Sequence, residues 1–409
     1  MTLKPRGGRA RKPRPDWMTT NLVKLSWISL LQDAASEILY PILPVLLNTV
    51  LGAPAAIVGV IEGLAEAAAA TTKLMSSWLN RFAPRKMLIL IGYGGAALGK
   101  LIVALAGAWP VVLVGRVVDR LGKGVRSAPR DALLLGMVPA HHRGRVIGFH
   151  RTADTMGAVV GPILAIGLLS LFDNNLGPVL WVAVIPGVIS TLLVLLVKDN
   201  QPRQPKKYLT GEPQGVAKPG LQALSKSVNR AIAVIVLFSL VNFPDALLIL
   251  HLSQVGFSVT EVVGLYLLFN VTYATLSFPV GMLADRFRPN QIFAGGLVCF
   301  AIAYGGLGLT NDQSLSVVLV IIYGGFAAAQ DVVGKSWVAK LASESKQLAA
   351  QARLQGLNGF SILIAGLWAG LAWNLDGGNG SVPLMVAGVV ALILAGVIGS
   401  NLVFHKPKG

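Results

Sequence analysis

The sequence predicts an all-α integral membrane protein with twelve transmembrane helices, and three observations carry that prediction. Hydrophobic residues make up 54% of the 409 and charged residues only 13%, with a mean hydropathy of +0.66, whereas soluble domains carry about 25% charged residues. About a dozen mostly apolar runs reach the roughly 20 residues that a helix needs to cross a bilayer. Lys and Arg are confined to alternate connections between those runs, which is a topology signal. The net charge of +17 therefore reads as membrane orientation and not as a nucleic-acid surface.

In chain order, residues 1–20 are basic and rich in Pro and Gly, too polar for a signal-peptide core, and are expected to form a disordered cytoplasmic arm. Six segments follow within 21–197, near 22–50, 55–79, 87–107, 110–134, 146–170 and 178–197. Residues 198–229, with Lys198, Arg203, Lys206, Lys207, Lys218 and Lys226 among prolines and glycines, read as a cytoplasmic linker. Six more segments fall within 230–409, near 230–252, 259–284, 291–310, 315–338, 350–373 and 382–404.

The connections after odd-numbered segments (LGAP, AGAWP, LFDNNLGP, SQVGFSVT, TNDQS, NLDGGNG) contain no Lys or Arg. The others are basic: Arg81, Arg85 and Lys86, then His141, His142, Arg143 and Arg145, then Arg286 and Arg288, then Lys340, Lys346 and Arg353. Basic loops remain cytoplasmic, so both termini are expected inside and the protein is expected in the cytoplasmic (inner) membrane. Cys299 is the sole cysteine, which excludes an intrachain disulfide or a cysteine metal cluster.

The halves echo each other. Arg81-Phe82 recurs as Arg286-Phe287, an offset of 205 residues, and Arg145–Gly148 (RVIG) as Arg353–Gly356 (RLQG), an offset of 208. Duplicated, pseudo-symmetric six-helix bundles with a site between them near the midplane describe one transporter architecture.

On these residues the chain resembles the major facilitator superfamily over nearly its whole length. The family's loop motif after segments 2 and 8 is present as Gly281, Asp285 and Arg286. In the first half Ser76 stands where Gly is expected and Asn80 where Asp is expected, although Arg81 remains. The antiporter motif of segment 5 is matched by Gly157, Gly161 and Pro162, and the segment 4 arginine by Arg116. The resemblance implies segments 1 and 4 lining a central cavity, and close approach of segment 5 to a helix of the other half.

The chemistry concentrates in segment 4. Counting about 20 residues from Pro110 places Arg116, Asp119, Arg120 and Lys123 within membrane depth and leaves Arg126 and Arg130 as interfacial anchors. Charge facing lipid at the centre costs about 2.5–3.5 kcal/mol or more per group, so these side chains must face protein or a water-filled cavity. Asp33 and Glu37 of segment 1, four apart on one face, lie at comparable depth and are expected to face Arg116 and Arg120 as a proton-coupling pair, the alternative being a static ion pair. Glu62 and Glu66 share a face of segment 2, and Asp154 and Asp245 are further deep carboxylates. Asp331 and Lys335, four apart, are expected to pair, and His251 to lie at the outer interface.

His141, His142 and His150 lack a carboxylate or thiolate at ligand spacing, so no metal is expected. No phosphate-binding glycine loop or nucleophile motif occurs. The expectation is therefore no enzyme and no cofactor, but a monomeric, proton-gradient-driven exporter of a small organic molecule; export rests on the resemblance of the segment 5 motif. Two alternatives are uptake of an anionic metabolite, suggested by the arginines, and a membrane receptor or scaffold that no longer transports.

Overall fold

The computed structural model describes residues 17–79, 83–139, 142–198, 224–343, 346–375 and 378–400. The described chain is helical throughout: α1 (Thr20–Leu39), α2 (Ala55–Leu79), α3 (Arg85–Ala104), α4 (Trp109–Gly136), α5 (Arg143–Leu171), α6 (Leu176–Val194), α7 (Lys226–Ser239), α8 (Asp245–Gln254), α9 (Val259–Arg286), α10 (Pro289–Leu309), α11 (Gln313–Leu341), α12 (Gln347–Leu371) and α13 (Ser381–Gly399). A helical turn, Leu43–Val45, and a π turn, Leu46–Val50, prolong α1. Residues 1–16 of the expected arm, most of the linker, Asn80, Arg81 and the side chains of Asp285, Asp331 and Lys335 lie outside the described residues, while Thr20 already belongs to α1.

Several helices start where side chains supply the backbone acceptors that the first turn lacks. Thr19 accepts from the Leu22 N–H at 3.1 Å, Ser225 from Val228 at 3.3 Å and Asp312 from Leu315 at 2.7 Å. Ser258 and Glu261 complete a reciprocal capping box at the start of α9.

Among the described residues, ten helical stretches are long and apolar enough to cross a membrane. Two expected segments fall outside that count. Segment 4, now α4, is excluded by its charge, and segment 7 is not one helix. It breaks between Ser239 and Asp245 into α7 and α8, because Pro244 lacks an N–H and disfavours helical geometry at Phe243. The indole Nε1 of Trp368 compensates by donating to the freed Leu240 carbonyl at 2.7 Å. Segment 1 breaks likewise after Leu39, beside Pro41. The two breaks are 203 residues apart (41 to 244), close to the repeat offsets in the sequence.

The first six helices pack mainly on one another, through α3–α4, α1–α5, α2–α4, α1–α6 and α3–α6, and the later ones through α10–α13, α10–α11 and α9–α11. The two sets meet along α2–α12 and α5–α9, with the Leu43–Val45 turn and α2 also against α8. Gly59 and Gly366 sit carbonyl to backbone across α2–α12, and a Cβ on Gly370 would fall within van der Waals radii of Ala55 and Ala56. Small residues permit this approach, as between membrane helices generally. At the same end Thr260 donates to Asn174 at 2.8 Å, His251 Nδ1 pairs with the Asn379 carbonyl at 2.7 Å, and Trp373 donates to Gln254 at 3.0 Å. His251 is thus fully buried beneath the loop before α13, not exposed at an outer interface, because that loop folds over the end of segment 7. Among the described residues, the end of the molecule whose loops lack Lys and Arg is closed.

Gly59→Val and Gly366→Val should each cost about 1–3 kcal/mol, the range for overpacking, and lower the thermal unfolding midpoint in detergent. Gly396→Ala, with open space around it, should shift stability by no more than about 0.5 kcal/mol.

Candidate functional site

Helix α4 is 28 residues long, about 42 Å at 1.5 Å per residue, against a hydrocarbon core of about 30 Å. It carries a row of buried cations: Arg116, Arg120, Arg126 and Arg130 are 1%, 9%, 3% and 8% exposed. Each turns to an anion. Arg116 grips Glu62 bidentately, Nε to Oε1 at 2.8 Å and Nη2 to Oε2 at 2.6 Å. Arg120 lies 3.3 Å from Glu66, Arg126 3.5 Å from Asp33, and Arg130 3.1 Å from Asp131 and 3.9 Å from Asp154.

The register follows from helix direction. Helices α2 and α4 run the same way, so partners keep a constant offset of 54: 62 with 116, 66 with 120. Helices α1 and α4 run oppositely, so partners move apart in number: Asp33 meets Arg126, and Ser29 accepts from Arg130 at 3.0 Å. Both ladders use the four-residue spacing of one helix face.

These contacts correct the expected pairing. Asp33 and Glu37 do not face Arg116 and Arg120, which are taken by Glu62 and Glu66. Arg126 and Arg130 are not interfacial anchors but buried members of the ladder, with Arg126 also stacked 4.2 Å from the Tyr93 ring centroid. Counting residues gives distance along a helix, but a helix longer than the bilayer tilts, and the partner is set by which helix packs alongside. Lys123 is exposed.

Lys100 was not singled out from the sequence, although a lone cation inside an apolar run is itself a signal. It is 1% exposed and donates to Asp119 at 2.9 Å. Asp119 also accepts from Arg116 at 3.4 Å, so Lys100, Asp119, Arg116 and Glu62 tie α3, α4 and α2 together. Gly99 and Gly115 allow this: a Cβ on Gly99 would lie 2.5 Å from the Asp119 nitrogen. Likewise His150 is buried near Ser26, Ser29 and Asp154, at 3.3, 3.4 and 3.7 Å, as part of the polar packing between α1 and α5. Among the described residues no group of three or more His, Cys, Asp or Glu could hold a metal ion.

Gly157 and Gly161 pack against α1, not against the other half: a Cβ at Gly157 would lie 2.7 Å from the Leu30 carbonyl and at Gly161 2.6 Å from Glu37 Cβ. Their smallness and that of their neighbours is spent on seating α1, which positions Asp33 and Glu37.

Glu37 reaches across the molecule and accepts a hydrogen bond from the Tyr266 hydroxyl of α9 at 2.7 Å. Asp245, the first residue of α8, accepts from Tyr323 at 2.5 Å. Between the two helix sets lies a cavity of about 400 Å³ lined by Tyr40, Glu62, Glu66, Asn242, Asp245, Tyr266, Phe269, Tyr273, Tyr323 and Gln330, among others. No residue of α4 lines it; the arginines stand behind the Glu62 and Glu66 wall. The broken helix places Asn242 and Asp245 at the cavity.

A sequence profile described as Major Facilitator Superfamily matches residues 25–269 and 246–408. An uncharacterized MFS-type transporter of Methanocaldococcus jannaschii is 26% identical over 92% of this chain and 95% of its own. A multidrug resistance protein of Proteus mirabilis is 22% identical over 72% of each chain. Among solved structures, the nucleoside transporter NupG shares the fold with a TM-score of 0.76 at 14% identity, over 95% of this chain and 100% of that one.

Arg116→Leu should be severely destabilising, about 3–5 kcal/mol, because it strands the Glu62 carboxylate. The double variant Arg116→Leu/Glu62→Leu should recover most of the loss. Arg120→Leu should cost less, since 42% of the Glu66 side chain is exposed. Thermal unfolding in detergent with a double-mutant cycle measures all three.

Proposed function

Because the chain belongs to the Major Facilitator Superfamily, we propose that it is a monomeric, proton-coupled exporter of a small organic molecule that works by alternating access. It is a multi-pass membrane protein and a transporter by family; in this reading it sits in the inner membrane with both termini cytoplasmic, as the basic loops require. The two helix sets, 21–197 and 230–409, rock about the cavity, joined by the 198–229 linker.

The observation that carries the reading is the Glu37–Tyr266 hydrogen bond, which joins the two sets at the cavity. A carboxyl group in that position is a proton site and a closure contact at once. Among the described contacts neither Glu37 nor Asp245 has a cation within ion-pair distance, unlike Asp33, Glu62, Glu66, Asp119, Asp131 and Asp154. A buried carboxylate without a counter-ion costs several kcal/mol, which a bound proton removes. Rearrangement that brings water to Glu37 then releases the proton and opens the link to Tyr266.

The paired carboxylates have a different part in this reading: they keep α2, α3 and α4 moving as one body. Gly281 and Arg286 at the end of α9, with Asn80, Arg81 and Asp285, are assigned to gating at the basic-loop end. Export is supported by the similarity to a multidrug resistance protein. Uptake of an anionic metabolite loses its support, since the arginines that suggested it face carboxylates and not the cavity.

The test is flux in proteoliposomes, using compounds selected by a thermal-shift screen. An imposed pH gradient should drive uphill accumulation by the wild type. Glu37→Gln should abolish accumulation while downhill exchange persists, and Tyr266→Phe should slow transport severalfold. Wild-type flux that ignores the gradient overturns the coupling; no flux of any compound overturns transport in favour of a receptor.

A further inference from the structure

We propose that the central cavity binds a small organic cation, whose positive centre docks at Asp245 in exchange for that residue's proton. The inference rests on the proton-coupled reading above and adds the substrate class and the exchange site.

The first observation is charge. The cavity lining contains three ionisable carboxyl groups, Glu62, Glu66 and Asp245, and no Lys or Arg. Glu62 and Glu66 are already neutralised from behind by Arg116 and Arg120. Asp245 is not: Oδ1 accepts from Tyr323, and Oδ2 has no partner among the described contacts. An anionic ligand would meet three carboxyl groups with no cation to receive it, whereas a cation finds one carboxyl group whose charge nothing else cancels.

The second observation is the wall. Tyr40, Tyr266, Phe269 and Tyr323 form a continuous aromatic surface beside Asp245, with successive ring centroids 5.4, 6.0 and 5.1 Å apart. Ring faces attract ammonium and guanidinium centres, more strongly where water is excluded. The third observation is a waiting acceptor. Asn242 Oδ1 is buried at the cavity without a donor, while its Nδ2 donates to Gln330 at 3.4 Å. A ligand N–H supplies that donor.

The groups facing Asp245 are Tyr40 just after α1, Glu62 and Glu66 of α2, Tyr266 of α9, Tyr304 of α10 and Tyr323 of α11. Of the other ionisable partners of this set, Arg116 and Arg120 are committed to Glu62 and Glu66, and Glu37 to the Tyr266 hydroxyl. A proton and an organic cation therefore compete for one carboxyl group. Binding of the cation sends the Asp245 proton to solvent, an exchange at the cavity that works together with the opening of the Glu37–Tyr266 link.

Benzylammonium and benzenesulfonate, similar in size and opposite in charge, are the probes. Titrated into the full-length protein in weakly buffered detergent, benzylammonium should bind at least tenfold more tightly than benzenesulfonate and release protons. Asp245→Asn should weaken cation binding at least tenfold and abolish proton release, with its thermal unfolding midpoint establishing that it is folded. Should that variant fail to fold, Tyr323→Leu and Phe269→Leu, which remove a ring face from the wall, should each weaken the cation severalfold and leave benzenesulfonate unchanged. Tighter binding of benzenesulfonate, or cation binding indifferent to these variants, overturns the proposal. Gradient-driven flux of other compounds without cation binding overturns the substrate class and leaves proton coupling standing. Cation binding with proton release but no flux upholds the site and overturns transport.

Discussion

Charge buried at membrane depth has to be answered by opposite charge, and helix α4 is the place where this constraint is heaviest. Four arginines, each less than a tenth exposed, would be untenable facing lipid. Their carboxylate partners come from α1, α2, α5 and α4 itself, and so α1, α2 and α5 are arranged around α4 as ligands are around a cation. Lys100 extends the network to α3 through Asp119. Removing one member leaves the other buried and uncompensated, which costs far more than a surface pair ever contributes.

This arrangement separates two jobs that look alike in a list of intramembrane charges. Fully paired groups, above all Glu62–Arg116 and Lys100–Asp119, hold helices in register. The groups with a tyrosine hydroxyl for a partner, Glu37 and Asp245, sit where the two helix sets face each other. A charge already balanced by a neighbour changes little when a proton arrives; a carboxyl group beside a neutral hydroxyl changes its charge outright. The later helices supply mostly aromatic surface to the cavity and only Asp245 in the way of charge, so the chemistry is shared unequally between halves of similar architecture.

Proline placement is what brings Asp245 to the cavity. The breaks at Pro41 and Pro244 fall at nearly the repeat offset, and each leaves helix ends near the middle of a span, where backbone groups need outside partners. Trp368 serves one such carbonyl. Where irregular backbone occurs at membrane depth it lines a cavity or lies against protein, and here Asn242 lies within the broken stretch and Asp245 begins the helix after it.

Composition, the apolar runs and the confinement of Lys and Arg to alternate loops were enough to determine a helical membrane protein and the order of its apolar segments, because those properties depend on counting along one chain. The same counting singled out Glu62, Glu66, Arg116 and Arg120, and the four-residue spacing put each pair on one face. What it left open was partnership. Arg116 meets Glu62 and not Asp33, Arg126 is buried and not at the surface, and Gly161 seats Glu37 within its own half, because direction around a helix axis and tilt are settled by which helices pack together. The tertiary structure alone decided those, since a membrane offers no water to stabilise a charge in the wrong azimuth and only packing brings its counter-ion within reach.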